Sequence, residues 1–180
     1  MASAVKRLAA EYTMLAKRPT PGVVARQASS DQPLVWEFTL AGPPDSLYEH
    51  GVLTGRLFFP PDYPLSPPRM VFEPCITHPN VYGEGAKRGE VCISILHAGR
   101  DATGYEHHSE RWSPVQSVHS VLISVLSMLS EPNVESPANV DAAKLFSQQP
   151  GAFREQVHRE VARSLGLPAP PPGALPTGGR

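Results

Sequence analysis

Apolar positions at Val5, Leu8, Ala9, Tyr12, Leu15 and Ala16 recur at helical spacing near the start of the chain, and Pro19 and Pro21 end the pattern. A stripe returning every three to four residues is one face of an amphipathic helix, which proline cannot continue. The period then changes. Trp36, Phe38 and Leu40 alternate with Glu37 and Thr39, the two-residue period of a half-buried strand. The stretches Val52–Phe59 and Arg69–Phe72 read as further strands, three or four in all. Gly42-Pro43-Pro44-Asp45 and the proline-rich segment from Pro60 to Pro68 mark turns between them. Such short connections predict an antiparallel meander.

Helical spacing returns after Ser113-Pro114-Val115-Gln116. Ser113 suits a cap, Pro114 the first helical position, and Gln116 closes a capping box. Val115, Val118, Leu122, Val125, Leu126 and Leu129 then form the stripe of a central buried helix. Two more helices are predicted over Asn139–Ser147 and Gly151–Leu165. Beyond Leu167, Pro168, Pro170, Pro171, Pro172 and Pro176 with Gly173, Gly178 and Gly179 describe a flexible tail. The expectation is one α+β domain over 1–167, followed by a tail over 168–180. Its parts are an N-terminal helix, an antiparallel sheet of three or four strands, a central buried helix, and C-terminal helices.

A length of 180 residues fits one domain with a sizeable core. The formal net charge of −1 gives no global field that would favour nucleic acid or an anionic membrane. Cys75 and Cys92 make no disulfide framework, and a reducing compartment is the simpler setting. No signal peptide and no apolar run of the roughly 20 residues that span a bilayer is visible. A cytoplasmic setting is expected, with the nucleus as a further one.

Candidate chemistry centres on Cys92, in Val91-Cys92-Ile93-Ser94-Ile95-Leu96, downstream of His78-Pro79-Asn80. A thiol beside Val and Ile is either a small buried hydrophobe or a nucleophile. An upstream amide can donate to a developing oxyanion or brace a turn, and both roles stay open for Asn80. His78, before Pro79, suits a loop lock through backbone hydrogen bonds. The spacing Cys75-x-x-His78 lacks a second matching pair, so no metal site is expected.

Taken together, Phe59-Pro60-Pro61-Asp62-Tyr63-Pro64-Leu65-Ser66-Pro67-Pro68, His78-Pro79-Asn80, Cys92, Trp112-Ser113-Pro114 and Glu131-Pro132-Asn133 resemble the ubiquitin-conjugating enzymes. The likeness covers about Ala4 to Leu167. It implies that family's α+β fold, with an N-terminal helix, a four-stranded antiparallel sheet, a central helix behind it and C-terminal helices. Cys92-Ile-Ser-Ile-Leu-His97-Ala98 and Gly104-Tyr105-Glu106 are most similar to the subgroup with a long insertion after the active-site cysteine, associated with degradation of endoplasmic-reticulum proteins. The resemblance implies that Cys92 accepts ubiquitin as a thioester from the activating enzyme. With a ligase, it passes ubiquitin to lysine of a substrate or of another ubiquitin, for proteasomal and ER-associated degradation. It implies catalytic roles for Cys92 and Asn80, and support from His78, Pro79, His97 and Asp101. Docking of ligase and activating enzyme falls on Lys6, Arg7, Leu65, Ser113 and Pro114. The implied partners are ubiquitin, the activating enzyme, protein substrates and a RING-type ligase, which in this subgroup can be anchored in the ER membrane. The implied setting is the cytoplasm, with recruitment to the cytosolic face of the ER. The chain itself needs no cofactor, ATP being used by the upstream enzyme.

Two departures from the family pattern stand out. Asn80 and Cys92 lie twelve positions apart, several more than is usual, with the surplus in Gly83-Glu84-Gly85-Ala86-Lys87-Arg88-Gly89-Glu90. Closure entropy rises only logarithmically with loop length, so a bulged loop that keeps Asn80 near Cys92 is expected. Arg100 stands where the subgroup tends to carry an acid, and His107 and His108 add further basic character. The competing classes are a non-catalytic module of the same fold and a cysteine hydrolase. Cys92 with Asn80 argues against the first. The second would want a recognisable hydrolase signature, which the chain lacks.

Overall fold

The computed structural model describes residues 2–99 and 110–168. Helix α1 spans Ala2–Lys17. Strands β1 (Val23–Gln27), β2 (Val35–Ala41), β3 (Val52–Phe58) and β4 (Arg69–Phe72) follow. They form one antiparallel sheet in the order β1-β2-β3-β4, the meander that the short connections predict. Helices α2 (Val118–Ser130), α3 (Val140–Gln148) and α4 (Pro150–Ser164) complete the fold.

Alternation in β2 and β3 sends Trp36, Phe38, Leu40, Leu53 and Leu57 into one core with Val118, Val121, Leu122 and Val125 of α2. Gly55 is required at the centre of β3. A Cβ there would lie 2.0 Å from the Val71 carbonyl oxygen and 2.5 Å from the Phe38 ring. That ring instead packs edge-on against Phe72 at 5.4 Å, in the orientation aromatic pairs prefer. A run of ring contacts from Trp36 through Phe59 and Tyr63 to Trp112 carries the core out to the proline-rich loop. There the Trp112 indole N–H donates to the Pro64 carbonyl at 2.8 Å.

Two helices differ from their sequence patterns. On α1 the buried positions are Ala4, Leu8 and Glu11, while Ala9, Tyr12 and Ala16 face solvent. The face turns toward Glu11 because its carboxylate has three donors to meet. It accepts from Tyr63 Oη at 2.8 Å, from the Val118 amide at 2.7 Å and from Arg7 Nε. Helix α2 starts at Val118, later than the box expected at Ser113 and Gln116. Its cap is Ser117, paired reciprocally with Ser120. Ser113 and Gln116 close a backbone turn instead, and Val115 is 87% exposed. The tertiary reason is Glu11, which places a negative charge at the first N–H of α2, where the helix dipole favours it. Arg7 holds the Gln116 carbonyl from the other side at 2.8 Å.

Candidate active site

The loop from Cys75 to Asn80 leaves β4 and is pinned on several sides. Thr77 donates its amide and hydroxyl to Glu160 of α4 at 2.9 and 2.6 Å, and its carbonyl accepts from the buried Tyr48 hydroxyl at 2.6 Å. Burial, aided by the Glu160 charge, pushes the Tyr48 phenol well above its usual range, so it stays a donor. His78 is fully buried. Its Nδ1 accepts from the Asn80 amide at 2.9 Å, which assigns the proton to Nε2, and Nε2–H donates to the Met128 carbonyl at 3.0 Å. Desolvation lowers its pKa to about 4 against the Met128 bond. The ring is therefore a neutral lock between the loop and the end of α2, and neither nitrogen is left for a metal. This is the backbone-locking role expected of His78. Pro79 is buried beside it, and its carbonyl accepts from the Asn139 amide at the α3 cap.

Asn80 is 3% exposed, and its amide clamps one residue from both sides. Nδ2 donates to the Asn133 carbonyl at 2.8 Å, and Oδ1 accepts from the Asn133 amide at 2.9 Å. Asn133 in turn accepts the Glu135 amide on its own side chain. The brace expected of Asn80 is thus directed at Glu131-Pro132-Asn133, across the fold from its own turn.

The lengthened connection to Cys92 doubles back on itself. Val81 bridges Val91, the Tyr82 amide donates to the Glu90 carbonyl, and the Cys92 amide donates to the Asn80 carbonyl at 2.9 Å. Asn80 and Cys92 stay adjacent although twelve positions separate them. The extra residues form a short 3-10 turn at Gly85–Lys87. They dock on the edge of β4 through the Val71–Glu90 bridge and a bond from the Phe72 amide to the Gly89 carbonyl. This docking is also why Val71 is buried on the second face of the sheet.

Cys92 is half-buried, and its backbone leads into a 3-10 turn at Ser94–Leu96 that buries Ile95. Polar side chains of Tyr82 and His97 lie near the sulfur. The Tyr82 hydroxyl donates to Sγ at 3.9 Å, and Nε2 of His97 lies 3.4 Å away. Cys92 raises the pKa of the Tyr82 phenol, keeping it a donor. Tyr82 was not among the residues singled out from the sequence. The fold brings it there: the Val81–Val91 bridge makes residue 82 a diagonal neighbour of residue 92, within reach of an aromatic side chain. The thiol opens on a groove of about 1140 Å³ whose lining includes Asn80, His97, Ser124, Glu131 and Asn133.

A match to the family described as "Ubiquitin-conjugating enzyme" covers residues 7–161. The chain belongs to the ubiquitin-conjugating enzyme family. It is a transferase whose partners are ubiquitin, an activating enzyme and a ligase. It is 49% identical over 166 residues to "Ubiquitin-conjugating enzyme E2 G2" of Homo sapiens, covering 92% of this chain and 98% of that protein. Identity is 50% over 150 residues to "Ubiquitin-conjugating enzyme E2 15" of Schizosaccharomyces pombe, covering 83% and 87%. It is 47% over 151 residues to "Ubiquitin-conjugating enzyme E2 14" of Arabidopsis thaliana, covering 83% and 88%.

In this conjugating enzyme the expected docking residues gather where α1, the proline-rich loop and the Trp112–Gln116 turn meet. Lys6 is exposed, Leu65 is 71% exposed, and Pro114 lies at the surface beside half-buried Ser113. Arg7 differs from its neighbour. Its guanidinium bonds Glu11 and the carbonyls of Pro114 and Gln116, so it holds the surface together from beneath. The insertion after Cys92 is closed at its base, where Arg111 donates to the Ala98 and Gly99 carbonyls at 2.8 and 2.9 Å. Asp101, with Arg100, His107 and His108, lies outside the described residues. No described helix is long and apolar enough to cross a membrane.

Proposed function

We propose that Cys92 carries ubiquitin as a thioester and delivers it to a lysine of a protein substrate or of another ubiquitin. The reading rests on the Cys92 sulfur, which opens on the groove between Tyr82 and His97 beside the Asn80–Asn133 clamp. Loading exchanges one thioester for another of similar energy, so it needs a nucleophilic sulfur and little acid–base apparatus. When an amine attacks, negative charge develops on the thioester oxygen. Asn80 Nδ2 gives one N–H to the Asn133 carbonyl, and its second N–H is the proposed donor to that oxygen. His97 is within reach to accept the proton that the attacking amine gives up. Asp101 belongs to the same proposed support of the acceptor lysine. Lys6, Leu65, Ser113 and Pro114 form the proposed contact with activating enzyme and RING-type ligase, an exposed Leu between prolines being a suitable anchor for a transient interface.

At the cellular level we propose ER-associated degradation, with the protein in the cytoplasm and recruited to the cytosolic face of the ER by a membrane-anchored ligase. What supports this is the resemblance of the Cys92–Ala98 and Gly104–Glu106 segments to the subgroup that serves that pathway.

Incubation with activating enzyme, ATP and ubiquitin, followed by non-reducing electrophoresis, tests the assignment. A reductant-sensitive adduct should form on the wild type and on Cys75→Ser. Cys92→Ser should give a slower, reductant-resistant oxyester. Loading that survives Cys92→Ala would sink the assignment.

A further inference from the structure

The chain has four lysines: Lys6, Lys17, Lys87 and Lys144. Lys6 and Lys17 are on α1 and Lys144 is on α3. Lys87 alone sits in the segment that lengthens the connection between Asn80 and Cys92. The local geometry turns its side chain toward the thiol. The 3-10 turn Gly85–Lys87 is closed by the Arg88 amide on the Gly85 carbonyl, and the Glu90 amide then bonds the Lys87 carbonyl. Nζ of Lys87 lies over the Tyr82 ring, 5.2 Å from its centroid. The hydroxyl of that same ring donates to Cys92 Sγ. One aromatic ring therefore separates a primary amine from the acyl-carrying sulfur. The residue is exposed, and a cation–π contact at an exposed site is worth only about 0.5–1 kcal/mol. The ammonium can leave the ring at little cost.

We propose that Lys87 is an acceptor in cis, taking ubiquitin from the thioester on Cys92 of the same molecule. The proposal rests on Cys92 carrying that thioester. The Lys87 amine attacks the thioester carbon, an N–C bond forms, and the C–S bond breaks. The amine gives up a proton, and the departing Cys92 thiolate takes one up. The products are an isopeptide at Lys87 and a free Cys92 thiol. Nothing beyond the loaded enzyme is consumed. Tethering both reactants on one short, hydrogen-bonded loop replaces a bimolecular encounter by an intramolecular one, which raises the effective concentration of the amine.

The test uses the full chain, loaded with lysine-free ubiquitin by activating enzyme, Mg²⁺ and ATP, then quenched with EDTA. Its decay is followed without ligase or added lysine on reducing and non-reducing gels. Tryptic peptides are searched for the Gly-Gly remnant. The expected result is a reductant-resistant single-ubiquitin adduct with the remnant on Lys87, formed with a half-time that does not change with enzyme concentration. Lys87→Arg should load to the same extent and form that adduct at least ~tenfold more slowly, because the tethered amine is gone. A Lys17→Arg/Lys144→Arg double variant should form it at the wild-type rate. A remnant confined to other lysines, a rate proportional to enzyme concentration, or decay by hydrolysis alone would overturn the proposal. Absence of any reductant-sensitive adduct before the quench would instead remove the Cys92 reading on which it depends.

Discussion

His78 shows how one buried side chain couples acid stability to the site. In the fold its pKa falls to about 4 through burial, while the unfolded chain leaves it near 6.5. Below 6.5 the unfolded state binds the proton more readily, so stability is full above that pH and is lost as pH falls toward 4. The loss from this one group amounts to about 3 kcal/mol over that window. Urea denaturation at steps between pH 7.5 and pH 4.5 should show the fall. His78→Gln should lower stability at neutral pH and flatten that part of the acid dependence. Parallel curves for the two proteins would mean that protonation of His78 is not what acid acts on. The backbone-locking role of His78 was legible from its place before Pro79. Its partners were not, because Met128 lies fifty positions away and meets it only through packing of α2.

Among the elements, the lengthened loop is the feature that distinguishes this chain, and its attachment turns on one glycine. Gly89 has φ +84, and a Cβ there would lie 2.5 Å from the Phe72 carbonyl oxygen. Gly85 has a similar φ of +68 but opens on empty space. Gly89→Ala should therefore cost more stability than Gly85→Ala, the first adding a clash to a left-handed backbone that alone costs about 1–3 kcal/mol. Thermal melts of the two variants provide the comparison. Equal losses would mean that the loop moves off β4 without penalty. The surplus length of this loop and the closeness of its ends could be read from the sequence, since closure depends weakly on length. Its docking on β4 could not, because that depends on a backbone amide and a carbonyl that no side-chain pattern reports.

Over the whole molecule, Glu11 joins three parts distant in sequence: α1, the proline-rich loop through Tyr63, and the start of α2 through Val118. Burial, with the neighbouring Glu11 charge, holds the Tyr63 phenol well above its usual range, so it serves as a donor. Glu11→Ala strands two buried donors, each costing about 1–3 kcal/mol when left unsatisfied. A double-mutant cycle with Tyr63→Phe should show strong coupling, since the second change removes one stranded hydroxyl. Simple additivity would show that the network does not act as a unit. Hydrophobic periodicity by itself determined the kind and order of the helices and of three of the strands, because burial acts on every third or fourth residue of a helix and every second of a strand; β1, whose residues are at most half-buried, left no such pattern. The ordered motifs around Cys92 also marked the family. Only the tertiary structure decided which face α1 buries, where α2 begins, that Asn80 braces Asn133, and that Tyr82 reaches the thiol. Each of these is a polar contact between residues far apart in the chain or paired across a loop. Such contacts leave no local period, and their partners become known only once the core has brought the segments together.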